Sequence, residues 1–198
     1  MIKKVVLASL LAMPALASAQ GLYFTAGAGL GSTDMENIEN SYGAGAPLRT
    51  DDDLQRAVVG VGAEVSEYLA VEGVYMSEAE ATVGAGTFLD TLEHSGLQLA
   101  VLAKAPLAPQ FALFGKLSAN FISTEYDFNV AGTNVYSEDS SGAYLGFGVG
   151  AEVRVNDNVG IRATAERIMM DDIIDENFLT EPGDVDVNQF TLALNFYF

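Results

Sequence analysis

The sequence predicts an all-β fold: an eight-stranded antiparallel up-and-down barrel that crosses a membrane. Three observations support this prediction. Apolar and polar residues alternate with a period of two in segments of about ten residues, there are eight such segments, and the links between them alternate between short turns and long acidic loops. An even strand number with unequal connections at the two rims is typical of a transmembrane β-barrel.

The first nineteen residues have the layout of a secretory signal. Lys3 and Lys4 precede an apolar run from Val5 to Leu16, and Ala17-Ser18-Ala19 then forms an A-x-A cleavage site. The alternative, a transmembrane anchor, would need about 20 apolar residues, and this run is shorter. The sequence therefore predicts a signal peptide over residues 1–19 and one barrel domain over residues 20–198.

Composition restricts the function classes. The chain has 27 acidic and 9 basic residues, for a formal charge of −18 that becomes −20 without Lys3 and Lys4. Nucleic acid needs a basic surface, so it is excluded as a partner. No later apolar run is long enough for a transmembrane helix, so any span must be made of strands. The chain has no cysteine, so no disulfide stabilises it.

The strands are placed by their alternation. The clearest case is AYLGFGVGAEVRV, where Leu145, Phe147 and Val149 share one face and Gly146, Gly148 and Glu152 share the other. The eight predicted segments are 21–31, 54–65, 69–80, 94–104, 111–123, 143–155, 159–169 and 188–198.

The terminal segment QFTLALNFYF closes the predicted barrel. Phe190, Leu192, Leu194, Phe196 and Phe198 alternate with small or polar residues, as expected for a strand with one lipid-facing side. Pairing 188–198 with 21–31 would leave no open edge in the membrane.

Connection lengths predict the orientation. The links at 66–68, 105–110 and 156–158 are tight and would face the periplasm, whereas those at 32–53, 81–93, 124–142 and 170–187 are long and would lie outside. Aromatic residues near both predicted strand ends would form two interfacial girdles: Phe24, Tyr68, Phe111, Phe196 and Phe198 at the turn side, and Tyr75, Phe88, Phe121 and Phe190 at the loop side.

The face opposite the apolar one carries balanced charge. It comprises four acids and four bases, namely Glu64, Glu72, Lys104, Lys116, Glu152, Arg154, Arg162 and Glu166. A barrel of eight strands is only wide enough for its own side chains, and an unpaired buried charge is costly. We expect a self-satisfied ion network, with inward glycines at 27, 29, 31, 60, 62, 146, 148 and 150 making room for it. The alternative is a narrow ion path gated by exchange of salt bridges.

The segment GVGAEVRVNDNVGIRATAERI resembles paired strands six and seven of the OmpA-like transmembrane β-barrel domain, a small porin-like outer-membrane β-barrel family. AVEGVY, LAVLAKAPL and the final Phe-Tyr-Phe are similar to its third, fourth and eighth strands. The resemblance implies interior salt-bridge roles for Glu72, Lys104, Glu152 and Arg162. The family often places an acid two residues after its return-strand arginine. Here Thr164 stands there and Glu166 lies one inward position further on, so the partner of Arg162 is left open.

The same resemblance implies location in the bacterial outer membrane and contact with outer-membrane lipid and lipopolysaccharide. It also makes the terminal residues Phe196, Tyr197 and Phe198 the recognition signal for the barrel-assembly machinery. A monomer without a cofactor is expected, and the sequence names no partner for the loops.

Candidate sites for chemistry are few. GAGLG at 27–31 lies inside a strand, without the helix that a phosphate-binding loop requires. His94 is the only histidine, and its neighbour Ser95 should point to the opposite face, which disfavours a Ser-His hydrolase. Acidic loop residues are weak candidates for a divalent cation: Asp51, Asp52, Asp53, Asp171 and Asp172.

Three functions follow in order of preference. The first is a non-enzymatic structural or surface-exposed barrel with a charge-paired interior and acidic outer loops. The second is a narrow gated pore for ions or small solutes. The third is an outer-membrane lipid hydrolase, since similar barrels can carry different functions.

Overall fold

The computed structural model describes residues 21–33, 48–51, 53–170 and 185–198, and within them every element is a strand or a tight turn. No helix in that part of the chain is long and apolar enough to cross a membrane. The strands are β1 Gly21–Thr33, β2 Leu48–Asp51, β3 Asp53–Ser66, β4 Leu69–Ala85, β5 Phe88–Ala108, β6 Phe111–Val130, β7 Thr133–Asn156, β8 Val159–Met170 and β9 Val185–Tyr197.

The strands form one closed antiparallel ring. Consecutive strands from β3 to β9 pair with one another, and β1 pairs with β3 on one side and with β9 on the other, from Tyr23↔Tyr197 to Thr33↔Val187. The short β2 and the longer β3 both pair with β4, so together they fill one position of the ring. The predicted eight-stranded up-and-down barrel is therefore confirmed.

Alternation along each strand separates two environments. On the outside, Leu117, Val149 and Leu192 are more than half exposed, which suits contact with lipid chains. On the inside, Ser118 and Glu152 of the same strands are buried. Phe24 and Phe196 face each other across the β1–β9 seam at 6.4 Å between ring centroids, at the rim with the short turns.

Two connections predicted as long loops are instead strand hairpins. Residues 81–93 and 124–142 continue β4 to β7 and reverse in two-residue turns at 86–87 and 131–132. In the second turn both central residues, Ala131 and Gly132, have positive φ, which is typical of a type I′ hairpin turn. In the first turn Gly86 has positive φ. Phe88 consequently lies at a hairpin tip and stacks on Phe128, rather than in the girdle near the membrane.

The remaining long connections are only partly described. β1 extends into the first to Thr33, β2 occupies residues 48–51 of it, and β9 begins at Val185. Residues 34–47 and 171–184 lie outside the described part of the chain.

Candidate functional site

The interior of the barrel is the candidate site, because all eight charged residues predicted to point inward do so. Strand pairing sets their relative positions: Glu152 lies directly opposite Arg162, whereas Glu166 lies opposite Gly148. The absence of a side chain at Gly148 lets β7 lie close to β8, since a Cβ there would come within 2.6 Å of the backbone oxygen of Ala165. The inward charges form two groups at different depths.

The first group lies at the short-turn end. Glu64 accepts hydrogen bonds from Lys104 at 2.7 Å and from Arg154 at 2.6 Å, and the Arg154 guanidinium covers the Tyr197 ring at 4.1 Å. A cavity of about 300 Å³ opens here, and Glu152 contributes to its lining. The cavity therefore reaches the charged network from this end of the barrel.

Arg162 is the centre of this first group, and its partners answer the question that the sequence left open. Its guanidinium donates to both Glu72 and Glu152, with Nη2 2.6 Å from Glu152 Oε2. Tyr23 donates to Glu72 and Tyr197 to Glu152, each at 2.5 Å. Since both carboxylates are buried, these hydrogen bonds replace water that the acids lose on folding.

The second group lies deeper in the barrel, around Glu166. This carboxylate accepts hydrogen bonds from Lys116 at 2.7 Å, Ser118 at 2.6 Å and the Gln98 amide at 3.0 Å. Gln98 in turn accepts from Lys116 and donates to Asn120. Glu166 is thus a partner of Lys116, not of Arg162.

The interior towards the long hairpins is mainly apolar, although the buried polar residues Arg56, Asp90 and His94 also lie there. Twelve buried side chains form one cluster there, contributed by strands from around the ring: Val58, Val74, Met76, Ala79, Ala81, Val83, Leu92, Ile122, Tyr126, Ile168, Met170 and Val187. Phe128 and Tyr144 pack against it. The described part of the lumen is therefore filled by side chains at this end.

Sequence reasoning missed a fifth interior base, Arg56. The residue is 5 % exposed, its Nη1 lies 3.7 Å from Met76 Sδ, and its Nε and Nη2 atoms have no hydrogen-bond partner among the residues that the structure describes. Its position could have been predicted, because Arg56 and Glu64 are eight positions apart on one strand and therefore share a face.

His94 also lies inside. Its Nδ1 is 2.9 Å from Thr124 Oγ1, and its buried Nε2 has no hydrogen-bond partner in the described part of the chain. Ser95 follows it on the strand, directly opposite Ser123, and successive side chains on a strand point to opposite faces. The two residues are therefore not arranged as a nucleophile and its base.

Outside the membrane, the long hairpins carry an acidic row. Glu80 lies opposite Glu93, Glu93 opposite Glu125, and Glu125 opposite Asp139. These carboxylates occupy one level on the outer face of β4 to β7, above the apolar belt. Burial first, and then the negative charge of Glu78, Glu125, Glu80 and Asp127, raises the pKa of Glu93. We call Glu80, Glu93, Glu125 and Asp139 the acidic row.

The weak metal candidates do not form a site in the described part of the chain. Asp51 is exposed on β2, the side chain of Asp53 is not described, and Asp52, Asp171 and Asp172 lie outside the described residues. Among the described residues, no group of three histidine or acidic side chains could hold a metal ion.

The three terminal residues do not share one environment. Phe196 and Phe198 are exposed to the lipid side, whereas Tyr197 is buried with its hydroxyl on Glu152. The Phe198 N–H donates to the Leu22 carbonyl at 3.0 Å, so the end of the chain is part of the barrel seam.

A known protein family matches this chain over nearly its full length. A model of the outer membrane protein β-barrel domain matches residues 5–198. No curated protein sequence matches significantly.

Solved structures share the fold at low sequence identity. Ail, the attachment invasion locus protein of Yersinia pestis, is 14% identical over 90% of this chain and 98% of its own, with a TM-score of 0.57. Neisserial surface protein A is 11% identical over 89% and 97%, with a TM-score of 0.60. OprG from Pseudomonas aeruginosa is 14% identical over 91% and 97%, with a TM-score of 0.56. Ail has also been crystallised in complex with the heparin analogue sucrose octasulfate.

Proposed function

The chain belongs to the outer membrane protein β-barrel family, and on that premise we propose that it is a non-enzymatic, surface-exposed barrel whose hairpins present a binding surface outside the cell. The outer-membrane location itself is confirmed by the family. The proposal adds that the interior serves stability and that recognition belongs to the hairpins.

The observation that carries this proposal is the filling of the interior. Ion pairs occupy the short-turn half around Arg162 and Glu166, and a mainly apolar cluster occupies the other half. Beyond the cavity of about 300 Å³ at the short-turn rim, the packed side chains leave no room for a hydrated ion unless they move. The gated pore therefore has less support than the structural barrel.

The hairpins support the surface role. β6 and β7 continue beyond the apolar belt, and their outer faces are polar and acidic there. A polyanion such as the heparin analogue bound by Ail would be repelled by the acidic row. We therefore propose a partner chemistry for this chain that differs from that of Ail.

Biogenesis completes the proposal. Residues 1–19 are removed as a signal peptide, and the barrel-assembly machinery recognises the exposed terminal aromatics Phe196 and Phe198. The product is a monomer, in contact with lipid and lipopolysaccharide through its apolar belt.

Orientation is tested first, on cells. The chain has no cysteine, so single cysteines can be placed at Thr133 on a hairpin tip and at Asp157 in a short turn. A membrane-impermeant maleimide should label Thr133→Cys in intact cells and Asp157→Cys only after permeabilisation. The reverse pattern would contradict the surface role of the hairpins.

Conductance is tested second. The refolded barrel, verified by its heat-dependent gel mobility, should leave a planar bilayer electrically silent. Discrete openings that change in Arg162→Ala would replace the structural interpretation with a gated pore through the first ion group.

A further inference from the structure

One interior base, Arg56, forms no ion pair within the part of the chain that the structure describes. The residue is buried, so bulk water does not solvate its guanidinium. A guanidinium cannot be deprotonated in proteins, and a buried charge without a partner is costly. Arg56 therefore cannot become neutral and requires an acceptor.

The unpartnered atoms of Arg56 form one edge of its guanidinium. Nε and Nη2 have no hydrogen-bond partner among the described residues, whereas Nη1 lies 3.7 Å from Met76 Sδ. The Nε–H and one N–H of Nη2 point in parallel, and this fork is the one with which arginine binds anions through two hydrogen bonds. The free edge is thus the edge that suits an anion.

The carboxylates of the two charged groups already have partners. Glu166 acts electrostatically on Arg56, but it pairs with Lys116 at 2.7 Å and accepts two further hydrogen bonds. The other acids of these groups form ion pairs with the bases of the first group: Glu64, Glu72 and Glu152. The charged groups therefore supply no carboxylate to the free edge of Arg56.

A neighbouring amide can supply a further donor. Arg56 Cγ and Gln189 Cδ lie 3.3 and 3.4 Å from the position that a Cβ would take at Gly29, so both side chains flank this glycine. Buried Gln189 Oε1 has no partner among the described residues, and Nε2 lies 2.9 Å from Thr191 Oγ1. Because a hydroxyl donates as well as accepts, the amide can turn and direct its N–H groups towards an anion.

His94 has the same property on the hairpin side. The charge of Arg56 acts on this residue, and its Nδ1 can accept from the Thr124 hydroxyl, which leaves the proton on the unpartnered Nε2. The buried acid Asp90 accepts a hydrogen bond from Tyr126. It lies four residues from His94 along β5, about 13 Å at a rise of about 3.3 Å per residue. The surroundings of Arg56 thus offer donors rather than a second acid.

We propose that the edge of Arg56 formed by Nε and Nη2 binds one small inorganic anion, such as chloride, inside the barrel. The anion accepts two hydrogen bonds from the guanidinium and supplies the negative charge that it lacks, and Gln189 and His94 are further donors. A closely packed interior admits only a small ion, so a halide fits better than a phosphate or carboxylate ligand. This counterion site does not depend on the proposed surface role of the hairpins.

The first test locates the ion in the wild-type barrel. Crystals are grown with bromide in place of chloride, and anomalous scattering identifies the bound bromide. We expect one anomalous peak beside Nε and Nη2 of Arg56. Absence of this peak would overturn the proposal, as would bromide beside the exposed Arg167 alone, which would be an adventitious ion only. A carboxylate of the chain on the Arg56 edge would also overturn it.

The second test measures the ion in solution. The barrel is folded in vesicles of zwitterionic lipid and unfolded with urea, because guanidinium salts would add an anion of their own. Sodium chloride replaces sodium gluconate at constant ionic strength, and gel mobility gives the folded fraction. Once chloride exceeds its dissociation constant, each tenfold increase should lower the unfolding equilibrium constant about tenfold, as expected for one ion bound only by the folded state.

Variants assign the chloride dependence to Arg56. Arg56→Met should be equally resistant to urea in both salts, and Arg56→Lys, which keeps the charge without the fork, should require more chloride than the wild type. Arg167→Met removes an exposed arginine from the outer face and should respond to chloride like the wild type. Equal resistance of the wild type in the two salts, as expected if water alone occupies the site, would overturn the proposal. A chloride dependence that Arg56→Met retains would do the same.

Discussion

Two interior arginines provide the sharpest test of the charge network. Arg162 and Arg56 are 4 % and 5 % exposed, and both lie in barrel strands. Arg162 donates to two carboxylates, whereas within the described residues Nε and Nη2 of Arg56 have no hydrogen-bond partner and its Nη1 lies beside the Met76 thioether. Replacement of each by methionine keeps a long side chain and removes the charge.

The two replacements should have opposite effects. Arg162→Met leaves Glu72 with Tyr23 as its remaining donor, and leaves Glu152 with Lys104 at 3.6 Å and its Tyr197 and Asn195 hydrogen bonds. Breaking a buried pair by removing one partner costs about 3–5 kcal/mol. Arg56→Met removes a buried guanidinium that forms no ion pair within the described residues, although the negative charge of Glu166 acts on it. Because burial of a charge without a hydrogen-bonded partner is costly, this replacement should be neutral or stabilising.

The free energy of unfolding can be measured by guanidinium titration of the barrel in lipid vesicles. The chain has no tryptophan, so far-UV circular dichroism and heat-dependent gel mobility report folding. An unchanged slope against denaturant shows that the same surface unfolds in each variant. Equal losses of stability in the two variants would refute the assignment of Arg162 as the paired centre and of Arg56 as a buried base without an ion pair among the described residues.

Three further predictions concern the lipid face, the barrel wall and the hairpins. Leu192→Arg, on the exposed apolar face, should cost about 2–4 kcal/mol in the same titration, whereas Ser141→Arg, beyond the apolar belt, should cost far less; similar costs would contradict the placement of the membrane. Gly148→Val should block refolding, because its Cβ would meet the Ala165 carbonyl at 2.6 Å, whereas Gly115→Val, with nothing within 4 Å, should refold; the fraction with shifted gel mobility measures both. The pKa of Glu93 is raised in the folded protein, so the folded hairpins bind its proton more tightly than the unfolded chain does. Hairpin stability should therefore increase as the pH falls through the folded pKa of Glu93 towards the unfolded value of about 4.3. Amide exchange in β5 and β6, corrected for intrinsic rates, measures this, and Glu93→Gln should flatten the dependence; an unchanged slope would contradict it.

The fold was predictable wherever the strands contact lipid. Between 143 and 155 a lipid-facing apolar residue alternates with an inward one, so the strand and its faces could be read from the sequence. Above the membrane the alternation is reversed, because Leu92 and Tyr126 point into the apolar cluster while Glu93 and Glu125 lie on the outer face. An acidic outer face does not fit the lipid-facing pattern, so 124–142 was predicted as a loop, whereas the Ala131-Gly132 pair forms a hairpin turn there.

The interior site was predictable only in part. Alternation fixes which residues point inward but not which of them meet across the barrel, since this depends on the register of every strand between them. Glu72 and Arg162 are 90 residues apart. A register shift between Met76 and Ala79 also changes which residues of β4 point inward, and no sequence signal marks it.

The length of the hairpins determines how far recognition takes place from the lipid. β6 continues for nine residues past Phe121 to Val130, which is about 30 Å along the strand at a rise of about 3.3 Å per residue. With a strand tilt of about 40°, this corresponds to a height of about 23 Å above the level of Phe121. Headgroups extend only about 5–8 Å beyond the hydrocarbon. A partner can therefore reach the hairpin tips within the sugar layer of the cell surface without touching the bilayer.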